Sequence, residues 1–278
     1  MSGTPIHIHL SAERTRHDLG VREAWAYRDL ALLFTKKALT VQYKQTVLGP
    51  LWVLITPLLS SLVYLLVFGN IAGLGTDGAP RLLFYLSGTA LWGFFSACLT
   101  QNSGVFTANA SLFGKVYFPR LTVPVSNVLT ALVRYCIQLA LVLVLLAFSR
   151  GAAPQWSALV VVPLLLMQLA LLGMGTGLLF SALTAKYRDL AALISVGVQL
   201  WMFATPVVYP LSEVSGVLRT VLLINPVTMP MELYRRVLLG VGTVVPAWLA
   251  LSVGVTLLVT LAGLAAFRHT EHDFIDTV

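Results

Sequence analysis

Residues 45–76 read QTVLGPLWVLITPLLSSLVYLLVFGNIAGLGT, and no charged side chain interrupts them. A helix needs about 20 apolar residues to cross the hydrocarbon core of a bilayer. This run is long enough, and four more uncharged runs follow at 82–114, 151–185, 190–212 and 237–267. A sixth stretch, 121–149, is apolar apart from Arg134. The pattern predicts an all-α integral membrane protein. Six transmembrane helices are expected at about 50–70, 82–105, 124–148, 158–183, 190–209 and 244–267.

Composition agrees. Of 278 residues, 58% are hydrophobic and only 10% charged, with a mean hydropathy of +0.86. Soluble domains carry about 25% charged residues. A disordered chain, a fibrous repeat and an ordinary soluble enzyme are therefore excluded. The net charge of +7 invites a polyanion reading, but the position of the basic residues answers it. With both termini cytoplasmic, inside segments hold 12 of the 18 Lys and Arg residues, outside segments hold 5, and Arg134 lies within a span. That is the positive-inside bias, so topology explains the charge and no nucleic acid is needed. The first 44 residues are polar or amphipathic and lack the pattern of a cleavable signal peptide. The chain divides into a polar tail (1–20), an interface helix (21–44), a six-span channel domain (45–267) and a cytoplasmic tail (268–278).

Three pieces do not span. In 21–44, Leu30, Leu33, Phe34 and Val41 can share one helical face while Arg28, Asp29, Lys36 and Lys37 lie elsewhere. This predicts an amphipathic helix lying in the membrane plane. The loop 109–124 is long enough for a short helix along the membrane surface. In 210–243, two apolar pieces (214–224 and 231–239) are separated by Asn225-Pro226 and Met229-Pro230. About ten helical residues cover ~15 Å, half the hydrocarbon thickness, so these pieces must lie at the surface or dip in and return. One motif repeats: Tyr27-Arg28-Asp29-Leu30-Ala31 and Tyr187-Arg188-Asp189-Leu190-Ala191. Favourable helix-start chemistry or docking of one cytoplasmic partner at both places accounts for it.

Chemistry is sparse. The spans contain no Asp or Glu, which argues against an ion-coupled carrier and against carboxylate acid–base catalysis. The five histidines sit near the two ends, and Cys98 and Cys136 lie in apolar runs, so no metal cluster or disulfide framework forms. Gly114-Lys115 lacks the earlier Gly and the following Ser or Thr of a phosphate loop, because Asn109 and Val116 stand there. Any uphill movement must be energised by a partner. Arg134 would lie about 18 Å along a helix starting near Thr122. It either snorkels to the interface or faces a polar lumen. Gly173 and Gly177 permit a close helix contact. Aromatic residues gather near the outer halves of the spans, as an interfacial belt or as a lining on which sugar C–H faces stack.

The stretch Val41-Gln42-Tyr43-Lys44-Gln45-Thr46-Val47-Leu48-Gly49-Pro50-Leu51-Trp52 runs from the basic helix into the first span. It resembles the membrane subunit of polysaccharide-exporting type-two ABC transporters, the O-antigen, teichoic-acid and capsule export family. Further similarities follow in order: Phe113-Gly114-Lys115-Val116-Tyr117-Phe118-Pro119-Arg120, Lys186-Tyr187-Arg188-Asp189-Leu190, Thr205-Pro206-Val207-Val208-Tyr209-Pro210 with Asn225-Pro226, and the ending Glu271-His272-Asp273-Phe274-Ile275-Asp276. Gln42 departs from the pattern, since the family often has Arg before the Tyr.

The resemblance implies half of a channel in a bacterial plasma membrane, paired with a second copy and driven by two copies of a cytoplasmic ABC ATPase. ATP and Mg would bind that partner, and this chain would bind no cofactor. Phe113, Lys115, Tyr117, Arg120, Tyr187, Arg188 and Asp189 would couple to the ATPase. Arg28, Lys36, Lys37, Tyr43 and Lys44 would meet lipid head groups and guide a polyprenyl-linked glycan. Trp52, Tyr64, Phe68, Trp92, Trp201, Phe203, Pro206, Tyr209 and Pro210 would line the channel and its outer gate. The alternatives are a type-two exporter of another amphipathic substrate, such as a drug or lipid, and a membrane-embedded envelope-glycan transferase.

Overall fold

A computed structural model describes residues 21–44, 46–116, 118–149, 154–187 and 189–275. The expected tail at 1–20 and the site residues Tyr117 and Arg188 lie outside the described residues. Among the described residues there is no strand. The helices are α1 (Val21–Ala26), α2 (Arg28–Tyr43), α3 (Trp52–Tyr64), α4 (Arg81–Ser103), α5 (Val105–Ala108), α6 (Ala110–Phe113), α7 (Thr122–Phe148), α8 (Ala158–Lys186), α9 (Leu190–Phe203), α10 (Gly216–Ile224), α11 (Thr228–Leu239) and α12 (Pro246–Ile275). A 3-10 turn, Gly49–Leu51, leads into α3, and a π-helical segment, Leu65–Ile71, extends it.

Five of these units are long and apolar enough to cross a bilayer: Gly49–Ile71, α4, α7, α8 and Pro246–Glu271 of α12. The span expected at 190–209 is shorter as a helix. α9 has 14 residues and reaches only about 21 Å. It stops at Phe203 because Pro206 has no N–H for the helix ladder and pushes the preceding residue away from helical backbone. Residues 204–209 continue as turns. α12 runs on past the last apolar stretch to Ile275, with a largely buried Arg268–Glu271 ion pair at 3.2 Å.

α4 is the hub and packs against α3, α7, α8, α9 and α11. The shared apolar core includes Phe84, Leu91, Phe95 and Leu99 of α4 and Leu169 of α8, all fully buried. Gly173 and Gly177 serve the contact between α8 and α4 within the chain. A Cβ on Gly177 would lie 2.6 Å from the Leu99 carbonyl oxygen, and one on Gly173 would lie 2.8 Å from Cys98 Cβ. These contacts set α4 and α8 parallel. Gln168 Nε2 to Ser252 Oγ (2.8 Å) and Thr260 Oγ1 to the Leu171 carbonyl (3.1 Å) set α12 parallel to α8. Asn127 Nδ2 to Asn102 Oδ1 (3.0 Å) and the Phe94–Tyr135 ring pair set α7 antiparallel to α4. The molecule therefore has two ends. One gathers the ends of α4, α8 and α12 with the start of α7, and it carries the loops expected inside. The other gathers 72–80 and 204–245.

The helix in 21–44 is broken at Tyr27, and small residues as well as large ones face the rest of the chain. Ala31 and Thr35 are buried, and Leu30 and Phe34 pack beside them. Leu33 and Val41 are 59% and 63% exposed. Small residues let the α2 backbone approach α7 closely, and Thr35 donates to the Ser126 carbonyl at 3.3 Å. Arg134 of α7 in turn bonds Gln42 of α2, so the two helices run in the same direction.

Candidate functional site

At the end that gathers 72–80 and 204–245, a buried arginine holds an unwound segment. Opposite charges at i and i+3 share one helix face, so α11 presents Glu232 and Arg235 together. They are 1% exposed each and form an ion pair at 3.7 Å. Arg235 Nη1 donates to the Pro206 carbonyl and Nη2 to the Val207 carbonyl, both at 2.5 Å. Its Cζ lies 3.7 Å from the centre of the Phe84 ring. Glu232 Oε2 accepts the Thr243 backbone N–H at 2.8 Å. The carbonyls freed when α9 unwinds thus find donors, as backbone must where water is excluded. Gly88 makes room, since a Cβ there would lie 2.7 Å from Arg235 Nη2. Asn225 ties the same turn from the other side. Its Nδ2 donates to the Ala204 carbonyl and to Thr205 Oγ1, both at 2.8 Å, and its Oδ1 accepts from Trp201 Nε1 at 3.2 Å.

Inward from this turn the aromatics form a lane. Trp201 packs edge-on against Phe95 (5.3 Å) and Trp92 (6.4 Å). Trp92, Tyr64 and Trp52 then wall a cavity of about 330 Å³ between α3, α4 and α7. Phe68 packs on Tyr64 at 5.9 Å. Gln42, Tyr43, Arg134 and Gln138 also line the cavity. Arg134 Nη2 donates to Gln42 Oε1, and Gln138 Nε2 donates to the Val53 carbonyl at 3.2 Å. Arg134 thus faces a cavity that also holds the amides of Gln42 and Gln138.

At the opposite end the loop between α4 and α7 is anchored by rings. Phe113 is buried and meets Phe118 at 5.8 Å and Phe106 at 6.2 Å. Phe118 meets Phe34 of α2 at 5.7 Å, and Phe106 stacks on Phe267 of α12 at 4.7 Å. Arg120 lies over the Phe113 ring at 5.4 Å and donates to the Glu271 carbonyl at 3.1 Å. Burial lowers the Arg120 guanidinium from its ordinary pKa, and nearby Glu271 opposes that shift. One aromatic cluster therefore joins the loop, α2 and the last span.

The expected site residues fall into three groups. Phe113 is internal and Arg120 half-buried, whereas Lys115, Tyr187 and Asp189 are exposed at the same end. Lys186 Nζ sits 5.5 Å from the Tyr187 ring. Arg28, Lys36, Lys37 and Lys44 are exposed on α2 and just after it, while Tyr43 turns into the cavity. Of the channel set, Trp52, Tyr64 and Trp92 share the cavity, and Phe68 and Trp201 pack beside it. Pro206 and Pro210 are buried in the held turn, where Tyr209 donates to the Phe203 carbonyl at 2.9 Å. The sequence reading placed Glu232 and Arg235 in the short piece 231–239, at the surface or dipping in and returning, and missed their pairing. The available signal was an i, i+3 opposite-charge pair inside an apolar piece too short to span.

Comparison with known proteins matches this architecture. The family model for the ABC-2 type transporter matches residues 30–239, from α2 to the end of α11. An O-antigen export system permease protein RfbA from Klebsiella pneumoniae is 26% identical over 248 residues, covering 89% of this chain and 94% of that protein. An O-antigen export system permease protein RfbA from Myxococcus xanthus is 31% identical over 219 residues, covering 78% and 83%. With five apolar spans, an amphipathic entry helix and a family match over most of its length, the chain belongs to the ABC-2 type transporter family of membrane subunits.

Proposed function

We propose that this chain is the permease half of an ATP-driven exporter that moves a lipid-linked polysaccharide of the O-antigen class from the cytoplasm across a bacterial plasma membrane. One observation carries the reading: a cavity walled by Trp52, Tyr64 and Trp92 also presents Arg134, and Trp201 joins its wall to the turn held by Arg235. Rings stack on the apolar faces of sugars without demanding one sequence of sugars, which suits a polymer in transit. The names of the relatives point to the same cargo class.

The rest of the machine follows from this reading. α9 and the unwound turn after it together form the sixth crossing. α10 and α11 dip in from the outside and return as the outer gate. Both termini are cytoplasmic. Two copies of the chain enclose the path, and two copies of an ABC ATPase dock beneath, contacting Lys115, Tyr117, Tyr187, Arg188 and Asp189. The internal cluster around Phe113 passes that movement to α2 and α12. Arg28, Lys36, Lys37 and Lys44 draw the anionic head group toward the path.

The test is the sidedness of lipid-linked glycan in cells depleted of this chain. Full-length polymer should accumulate on the cytoplasmic face while synthesis continues. Absence of polymer on both faces would move the chain into synthesis. Normal surface display would leave the family assignment and remove the glycan.

A further inference from the structure

Resting on the exporter reading, the cavity beneath the aromatic lane carries a more specific assignment. Arg134 is the one charged residue in its apolar stretch, and no acidic side chain is among the described residues lining the cavity. Its Nη2 is held by Gln42, and its Nε is buried with no hydrogen-bond partner, as are those of Arg235 and Arg268; unlike those two, which pair with Glu232 and Glu271, Arg134 lines open volume. The buried hydroxyl of Tyr43, on the same wall, also lacks a partner. A guanidinium carries five donors and a phenol one. Buried donors left empty cost stability, so their persistence in a cavity marks a place that a ligand completes. The missing group is an anion with several acceptor oxygens, and a phosphate matches a guanidinium fork. Trp52, Tyr64 and Trp92 line the same cavity. The cavity volume of about 330 Å³ lies within the range of small-ligand pockets and is far too small for a polymer.

We propose that this cavity binds the phosphate-and-first-sugar junction of the lipid-linked substrate, with Arg134 and Tyr43 donating to phosphate oxygens and the aromatic wall facing the sugar. Gln42 holds the guanidinium while the site is empty and yields it to the phosphate. The site selects the reducing end of the cargo and leaves the remaining sugars to the lane. Phosphate also heads anionic phospholipids, so the shared chemistry is a phosphate ester, and the test separates the two sources.

The full chain in phosphatidylcholine nanodiscs is titrated with a short-chain polyprenyl diphospho-N-acetylglucosamine. Saturable binding is expected. Arg134→Gln should weaken it about tenfold or more, as expected for losing a charge-assisted contact. Arg134→Lys should recover part of it, and Gln42→Ala should bind at least as tightly as the wild type. Inorganic pyrophosphate should compete with the probe on the wild type. Equal binding by Arg134→Gln overturns the assignment. If that variant fails to fold, absence of pyrophosphate competition on the wild type overturns it instead. Displacement by phosphatidylglycerol as effective as by pyrophosphate means a membrane head group fills the cavity, and the substrate assignment falls. Failure of the exporter reading is distinguishable. If depletion of the chain traps glycan but cells carrying Arg134→Gln export normally, only this site is wrong. If depletion traps nothing while Arg134→Gln still loses the probe, the cavity remains a phosphate-ester site and the glycan reading is wrong.

Discussion

Arg235 and Arg134 both interrupt apolar stretches, yet the fold treats them in opposite ways. Arg235 is 1% exposed and meets a carboxylate, two carbonyls and a ring face. Arg134 lines a cavity with one amide partner and no acid among its neighbours there. A buried charge whose contacts all come from its own chain is a fastener, because moving it strands each of those partners. A charge left short of partners beside open volume is available to something else. The difference separates a residue that holds the outer turn from one that awaits a ligand.

The largest expected effect falls on the fastener. Arg235→Ala leaves Glu232 as a buried unpaired charge and two carbonyls without donors. A loss of about 3–5 kcal/mol in unfolding free energy is expected. The double variant Arg235→Met with Glu232→Leu should recover much of it, since paired replacement by apolar residues is often neutral. Thermal unfolding of the purified chain in detergent measures both. If Arg235→Ala costs no more than Arg134→Ala, the contrast between the two arginines disappears.

A smaller effect is expected at Gly88. An added Cβ meets Arg235 Nη2 at 2.7 Å and the Val207 carbonyl at 2.8 Å, so Gly88→Ala must push the guanidinium or the turn aside. Overpacking of this kind costs about 1–3 kcal/mol. Combined with Arg235→Ala, the substitution should cost less than it does alone, because one of the two obstructing groups is gone and the Val207 carbonyl is no longer held in place. Simple additivity in that double variant would show that Gly88 acts through something other than the fastener.

Arg134→Gln should barely register by the same measurement. It removes one hydrogen bond to Gln42 but also a cation without a counter-ion in its cavity, so the net change stays within about 1 kcal/mol. A loss as large as that of Arg235→Ala would make Arg134 a second fastener.

The spans were legible because the bilayer imposes a length and an absence of charge that a single chain displays openly. The break near Pro206 was legible too, since proline removes a donor wherever it stands. What filled the break was not. The carbonyls of Pro206 and Val207 are satisfied by a residue 28 or 29 positions later, and only the tertiary fold shows that pairing. The face of α2 that packs on α7 was not legible for a related reason. In water the largest apolar side chains mark the buried face. Beside a membrane helix Ala31 and Thr35 are buried instead, because close approach matters more than apolar bulk, and Leu33 and Val41 remain outside. Arg134 was visible as an anomaly, but its companions were not. Gln42 and Tyr43 come from a separate helix, and α2 brings them alongside because it follows α7.

The smallest effect belongs to charges that neither fasten nor line a cavity. Lys36 and Lys37 are exposed on α2, away from its contact with α7. If they attract anionic head groups, each contributes about 1 kcal/mol near a charged leaflet. Reversal of both to Glu should slow export while leaving unfolding and assembly unchanged. Because the attraction acts through solvent, the defect should shrink as ionic strength rises and the Debye length falls below ~8 Å. Arg134 lies in a cavity less open to solvent, so the defect of Arg134→Gln should persist at the same salt. Transport into proteoliposomes at two salt concentrations distinguishes the cases. A salt-independent defect in the Lys36→Glu, Lys37→Glu variant would place those lysines in a direct contact, and the line between guiding charges and binding charges would have to be redrawn.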